Sequence, residues 1–173
     1  MKNKYVAYIR KSSESKEKQA LSIESQKEKL RQTFQDLNIV EWIEESKSAF
    51  KPYNRPKFRQ MMKMIHEGKI DGILAWHPDR LSRNEIDAGT VTYAIRTGVL
   101  KDLQFASYNF TNSPEGIKQL QASLTDSQYS SAKLSVDVKR GLGDKLKMGR
   151  RPCQANIGYL NTKLATRGDN KII

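Results

Sequence analysis

Ser12 stands two residues beyond Arg10, at the end of the run Lys4-Tyr5-Val6-Ala7-Tyr8-Ile9-Arg10. A second cluster of reactive types, His77-Pro78-Asp79-Arg80-Leu81-Ser82-Arg83, follows another apolar run that ends at Trp76. Arg55 supplies a further guanidinium just before Pro56. A serine hydroxyl among several guanidiniums suits phosphoryl transfer. Attack on a phosphodiester places charge on the equatorial oxygens, and positioned Arg forks stabilise that charge without a metal. Neighbouring cations also favour the serine alkoxide as a nucleophile. Asp79 can orient an arginine, or protonate a leaving alkoxide if its pKa is raised. A metal-dependent nuclease needs clustered carboxylates. Asp71, Asp79, Glu44 and Glu45 are instead scattered among basic residues, so neither a metal nor a cofactor is expected.

Each of these residues also has a plainer use. Ser12 and Ser13 suit a loop or a helix cap, and Asp79 suits a helix N-cap. Arg80 and Arg83 are three apart, so on a helical turn they share an exposed face. Tyr8 suits a core, and Gln19 and Gln26 suit the surface. Their joint placement on loops that follow strands favours the reactive reading.

The elements that must position them alternate. Lys4 to Arg10 reads as a strand rich in aromatic and β-branched residues. Alternation along it puts Tyr8 and Arg10 on one face, with Ser12 continuing that direction. A polar loop, Lys11 to Ala20, leads to a helix that Ser22 can cap, with Ile23, Leu30, Phe34 and Leu37 on its apolar face. Asn38 to Ile43 reads as a strand and Glu44 to Asn54 as a polar loop. Pro56 opens a helix whose buried stripe is Phe58, Met61, Met62 and Ile65, and Gly68 ends it. Ile70 to Trp76 is nearly continuous apolar sequence, as in a central parallel strand. A helix over about Asn84 to Thr97 and a strand over Leu103 to Tyr108 complete the pattern. The order predicts an α/β domain with a parallel or mixed sheet over residues 1 to about 110. Ligands of such sheets bind outside the carboxyl ends of the strands. If the strand before His77 neighbours the first strand, Arg80 and Arg83 arrive at the edge where Arg10 ends.

Ser113-Pro114-Glu115 signals a new helix start. Ile117, Leu120 and Leu124 keep one face apolar, and Ala132, Leu134, Val138, Leu142 and Leu146 extend it. This predicts a helix of some 30 residues, about 45 Å at 1.5 Å per residue. A helix that long pairs with another subunit or lies on a large ligand. Three segments follow: an α/β domain over 1–112, a long helix over 113–148, and a basic linker with the incomplete start of something further over 149–173.

The 173 residues include 31 Lys or Arg and 19 Asp or Glu, a formal charge of +12. From Lys133 to Lys171 ten basic residues face only Asp137, Asp144 and Asp169. That bias points to an anionic partner, and Lys133, Lys139, Arg140, Lys145, Lys147, Arg150 and Arg151 are the candidate phosphate contacts. The single Cys153 excludes an internal disulfide. No apolar run approaches the ~20 residues that span a bilayer, and Met-Lys-Asn-Lys-Tyr opens the chain without a signal core. A cytoplasmic protein is therefore expected.

These residues carry a family resemblance. Tyr8-Ile9-Arg10-Lys11-Ser12, Gln19 and Leu21-Ser22-Ile23-Glu24-Ser25-Gln26 resemble the opening signature of the serine site-specific recombinases, the resolvase/invertase family. The likeness continues through Ser48, Arg55-Pro56-Lys57-Phe58 and Trp76-His77-Pro78-Asp79-Arg80-Leu81-Ser82-Arg83-Asn84. Leu134-Ser135, Val138-Lys139-Arg140-Gly141-Leu142, Gly149-Arg150-Arg151-Pro152 and Gly158-Tyr159-Leu160-Asn161 resemble the large members of the family. The resemblance implies an α/β catalytic domain over 1–112, a resolvase-like sheet of about four to five mainly parallel strands flanked by helices. A long C-terminal helix over 113–148 would follow, which oligomerises and contacts DNA, and then a basic linker with the incomplete start of a DNA-binding domain over 149–173. It implies that Ser12 attacks a DNA phosphate and leaves a 5′-phosphoserine link with a free 3′-hydroxyl. Arg10, Arg55, Arg80 and Arg83 would bind the scissile phosphate, Asp79 would support them, and Tyr8, Gln19 and Ser48 would be secondary contacts. It further implies double-stranded DNA at attachment sites as substrate, and a homodimer that forms a synaptic homotetramer. Strands cut with a two-base stagger would be rotated and rejoined without ATP.

The chain departs from the family pattern in places. Gln19 lies seven residues after Ser12, a longer gap than in small resolvases. Met64 stands where many relatives have a lysine, beside Lys63, and no arginine occurs between Arg96 and Arg140. No recognition module follows by Ile173, so the sequence reads as a catalytic-domain fragment or a truncated product. A non-enzymatic module that binds DNA or oligomerises is the main alternative, and a generic phosphoesterase is a third.

Overall fold

A computed structural model of the chain describes residues 3–10, 23–49, 51–149, 161–163 and 170–172. The chain divides into two compact units, Met1–Ser131 and Ala132–Ile173. In the first unit the order is β1 Lys4–Arg10, α1 Ile23–Thr33, β2 Asn38–Glu45, α2 Pro56–His66, β3 Gly72–Ala75, α3 Pro78–Leu81, α4 Glu85–Arg96 and β4 Asp102–Phe105. Helix α5, Pro114–Lys147, begins in this unit and ends in the second. The second unit also holds β5 Asn161–Lys163 paired antiparallel with β6 Asn170–Ile172.

The four strands of the first unit form one sheet in the order β2-β1-β3-β4, with every pair parallel. Strand β1 is buried from Tyr5 to Arg10 because helices cover both sheet faces. Its period of two divides the core. Val6 and Tyr8 join Phe58, Met61, Val91, Leu120 and Leu124 on one side. Tyr5, Ala7 and Ile9 join Leu30 and Leu74 on the other. The predicted stripe of α2, Phe58, Met61, Met62 and Ile65, is buried in full. Gly72 opens β3 where a Cβ would collide with the Tyr5 ring, its partner in the register.

Boundaries moved in physically informative ways. Strand β2 runs on to Glu45, past the expected Ile43, because its last residues pair with Ile9 and Arg10. Strand β3 is shorter than its apolar run, and Ile70 is buried in the core without belonging to the ladder. Phe34 and Leu37 pack beside the α1 cluster from the turn after the helix. Gly68 and Gly98 take positive φ of 69° and 75° just after α2 and α4, a conformation that suits glycine. The Ser113 hydroxyl accepts from the Gly116 amide at 3.1 Å, as its place before Pro114 predicts. Helix α5 has 34 residues, about 51 Å at 1.5 Å per residue. Its stripe is buried at Leu120 and Leu124 but exposed at Leu134, Val138, Leu142 and Leu146.

Candidate active site

Strands β1 and β3 lie side by side and parallel, so their carboxyl ends share one edge. Arg10 ends β1 there, and the segment after β3 brings Asp79, Arg80 and Arg83 to meet it. Arg10 is 1% exposed. Its Nε donates to the Arg80 carbonyl at 3.1 Å, and its Nη2 donates to the Asp79 carbonyl at 3.0 Å. Burial, with the nearby charges of Arg83 and Arg80, pulls its pKa down to about 10, so it remains a cation at neutral pH.

The segment after β3 is built as a short turn. His77, not Asp79, caps α3, and Pro78 takes the first helical position. The His77 Nδ1 lies 3.0 Å from Asp79 Oδ1 and 3.3 Å from the Asp79 amide nitrogen. Protonated, that nitrogen donates to the carboxylate; unprotonated, it accepts from the amide. Ser82 is extended, with φ −150° and ψ 153°, so α3 stops before Arg83. Arg80 and Arg83 therefore do not share a helical face, contrary to what their spacing predicts. They converge on Asp79 Oδ2 instead, Arg83 Nη2 at 3.1 Å and Arg80 Nε at 3.8 Å. Burial pushes the Asp79 carboxyl up, but the Arg80 charge and the Arg83 hydrogen bond outweigh it and hold the pKa below the ordinary value. This favours orientation of the arginines over proton donation.

Arg55 precedes α2 and points into the protein. Its Nη1 donates to the Tyr8 hydroxyl at 3.0 Å and to the Leu81 carbonyl at 2.6 Å. Its Nη2 donates to Asp87 Oδ2 at 2.6 Å, and its guanidinium lies 4.0 Å from the Phe58 ring centroid. Tyr8 is fully buried, and burial pushes its pKa up to about 12 against the opposing pull of Arg55, so it stays neutral.

Three supporting residues were not assigned these roles by the sequence. Asp87 is the ion-pair partner of Arg55, and its spacing from the helix cap Asn84 is the one local signal for it. Glu45 is buried and accepts from the Lys47 amide at 3.1 Å and the Lys57 amide at 3.2 Å, which ties β2 to the start of α2. Gln26 is buried rather than at the surface, with Nε2 3.5 Å from the Arg10 carbonyl. Ser48 is half-buried beside Ala49, whose carbonyl accepts from Asn84 Nδ2 at 2.8 Å.

Ser12, Gln19, Arg150 and Arg151, together with the Ser22 cap, lie outside the described residues. In the second unit, Lys133, Lys139, Arg140, Lys145 and Lys147 are all exposed on α5. Lys133, Arg140 and Lys147 recur at seven-residue spacing and so share one face of the helix. Arg140 also pairs with Asp137 at 3.2 Å. Among the described residues no helix is long and apolar enough to cross a membrane.

A family model described as the resolvase N-terminal domain matches residues 5–151. Among solved structures, the N-terminal catalytic domain of TP901-1 integrase is similar at a TM-score of 0.56 and 19% identity, covering 77% of this chain and 99% of that one. The C-terminal catalytic domain of ISC1926 TnpA, an IS607-like serine recombinase, is similar at a TM-score of 0.51 and 19% identity, covering 81% of this chain and 84% of that one. No curated protein matches the sequence.

Proposed function

This chain belongs to the resolvase N-terminal-domain family, and from that premise we propose that it breaks and rejoins DNA strands with Ser12 as nucleophile. In the forward step the Ser12 Oγ–phosphorus bond forms and the phosphorus–3′-oxygen bond breaks. The Ser12 proton is lost and the 3′-oxygen leaves as a hydroxyl, with the DNA 5′ end held as a phosphoserine ester. Attack by a 3′-hydroxyl on that ester reverses the step. The ester conserves the bond, so rejoining needs no outside energy source.

The observation that carries this reading is the convergence of Arg10, Arg80 and Arg83 at the shared edge of β1 and β3. Ser12 follows β1 by two residues. The arginines supply positive charge on a preorganised scaffold, where electrostatic stabilisation of a phosphoryl transition state is most effective. Asp79 orients Arg80 and Arg83. The exposed basic face of α5 suits contact with the DNA backbone, and its exposed apolar stripe suits pairing with a second copy of the chain. The 1–112 and 113–148 segments then serve as a catalytic and an assembling portion of a soluble DNA-processing protein.

The test uses randomised duplex oligonucleotides with staggered nicks, from which the strand carrying the leaving 3′-hydroxyl can diffuse away. After incubation and denaturation, DNA that stays attached to protein is isolated and the linked peptide identified. The expected product is a 5′-phosphate ester on Ser12, absent from Ser12→Ala. Attachment at another residue, cleavage without an attached intermediate, or no reaction at all would overturn the proposal.

A further inference from the structure

We propose that Asp87 is a positioning residue of this site, and that Arg55, which it holds, acts through the protein and not on the phosphate. The proposal rests on the reading above of the β1–β3 edge as the reactive one.

Arg55 is 1% exposed, and both of its terminal nitrogens already serve protein acceptors. Its Nε is buried too, without a partner among the described residues. A phosphate bound by the terminal nitrogens would have to displace Tyr8, the Leu81 carbonyl or Asp87. Displacing Asp87 leaves an uncompensated charge in the core. What Arg55 does reach is the carbonyl of Leu81, which lies between Arg80 and Arg83 in the chain. A charged donor on that carbonyl fixes the backbone where the chain leaves α3, and so sets where the two flanking guanidiniums point.

Asp87 makes this contact possible. Its Oδ2 accepts from Arg55 Nη2 at 2.6 Å and from Asn84 Nδ2 at 2.7 Å. Asn84 in turn caps α4 through the Asp87 amide at 2.9 Å and reaches the Ala49 carbonyl at 2.8 Å. One carboxylate thus joins the loop after β2, the start of α4 and the guanidinium before α2. The plainer alternative is that Asp87 merely places negative charge in the first turn of α4. That role affects α4 alone, whereas the proposed one affects the α3 turn.

Amide hydrogen exchange separates the two without any DNA. In Asp87→Asn and in Arg55→Lys, the amides of Arg80 and Ser82, bonded to the His77 and Pro78 carbonyls, should exchange at least tenfold faster. If exchange changes only at the first turn of α4, or if Arg80 and Ser82 keep their wild-type rates in Arg55→Lys, the proposal is overturned. Tyr8→Phe supplies the same readout should Asp87→Asn fail to fold. A second experiment uses the duplexes captured on Ser12, with the scissile phosphate replaced by a neutral methylphosphonate. Arg80→Ala should be partly rescued by the neutral group, and Arg55→Ala should not be. Rescue of Arg55→Ala would show that Arg55 meets the phosphate. Absence of any Ser12 adduct with wild-type protein counts against strand exchange, whereas the exchange result still decides the role of Asp87.

Discussion

Arg10 grips the backbone of Arg80: its Nε donates to the Arg80 carbonyl at 3.1 Å, and its Nη2 reaches the neighbouring Asp79 carbonyl. A side chain at the end of β1 thereby sets the main chain of the turn that follows β3. Two donors on two successive carbonyls define an angle as well as a distance, which a lysine cannot reproduce. Arg10→Lys should therefore keep a cation and lose the registration. We expect the rate of Ser12 adduct formation to fall by about two orders of magnitude and stability to fall by ~1–3 kcal/mol. Single-turnover kinetics and urea unfolding check both, and an unimpaired lysine variant would show that the grip is dispensable.

Asp79 should hold its charge to lower pH in the folded protein than in the unfolded chain. Its folded-state pKa lies below the ordinary carboxylate value, so its contribution to stability is fully present above about pH 3.9 and is lost as pH falls through the depressed value. Asp79→Asn should lower adduct formation about 10- to 100-fold at neutral pH, because Arg80 and Arg83 lose their common anchor. It should also flatten the acid arm of the stability curve below pH 4. An acid arm identical in wild type and variant would exclude Asp79 as its source.

Tyr8 should be the last tyrosine to ionise. Its folded pKa, raised to about 12, exceeds the unfolded value of roughly 10. The sign is that of a raised group: its contribution is whole below pH 10 and is lost as pH rises toward 12. Ultraviolet difference titration of wild type against Tyr8→Phe should show one late phenol. The substitution should also cost about 1–2 kcal/mol, since Arg55 Nη1 loses one of its two acceptors.

Glu45 should act at the loop between β2 and α2. Both carboxylate oxygens accept backbone amides, so Glu45→Gln turns one side-chain end into a donor facing another donor. We expect a loss of ~1–3 kcal/mol by chemical denaturation. Faster proteolysis within residues 46–55 should accompany it. A variant as stable and as resistant as wild type would show that the amides find other acceptors.

Val138 and Leu142 are 50% and 40% exposed on α5, so charge placed there has little fold to disturb. The double variant Val138→Glu, Leu142→Glu should unfold at the wild-type temperature within a few degrees. If the stripe pairs with a second copy, sedimentation should show the variant shifted toward monomer at concentrations where wild type associates. Equal sedimentation of the two would remove this face from any self-association.

Much of the frame was legible in the residues. Phe58, Met61, Met62 and Ile65 announce a helix face because helical neighbours recur every three or four positions, and all four are buried. The alternation in β1 places Tyr8 with Arg10 for the same kind of reason, and the run before Trp76 reads as a central strand. Spacing misled where the chain changed conformation midway. Arg80 and Arg83 look like one helical face, yet extended Ser82 separates them and Asp79 reunites them.

By itself, then, the sequence determined the α/β order, the long final helix, the resolvase resemblance and the residue types needed for attack on a phosphate. The tertiary structure alone decided that β1 sits between β2 and β3, and so which loops share an edge. It alone decided that Arg55 is enclosed by Tyr8 and Asp87, partners 47 and 32 positions away. The division has a physical cause. Helix and strand periods are short and print themselves on neighbouring residues. A buried cation instead selects its partners by proximity in space, and nothing in the local order of side chains records that choice.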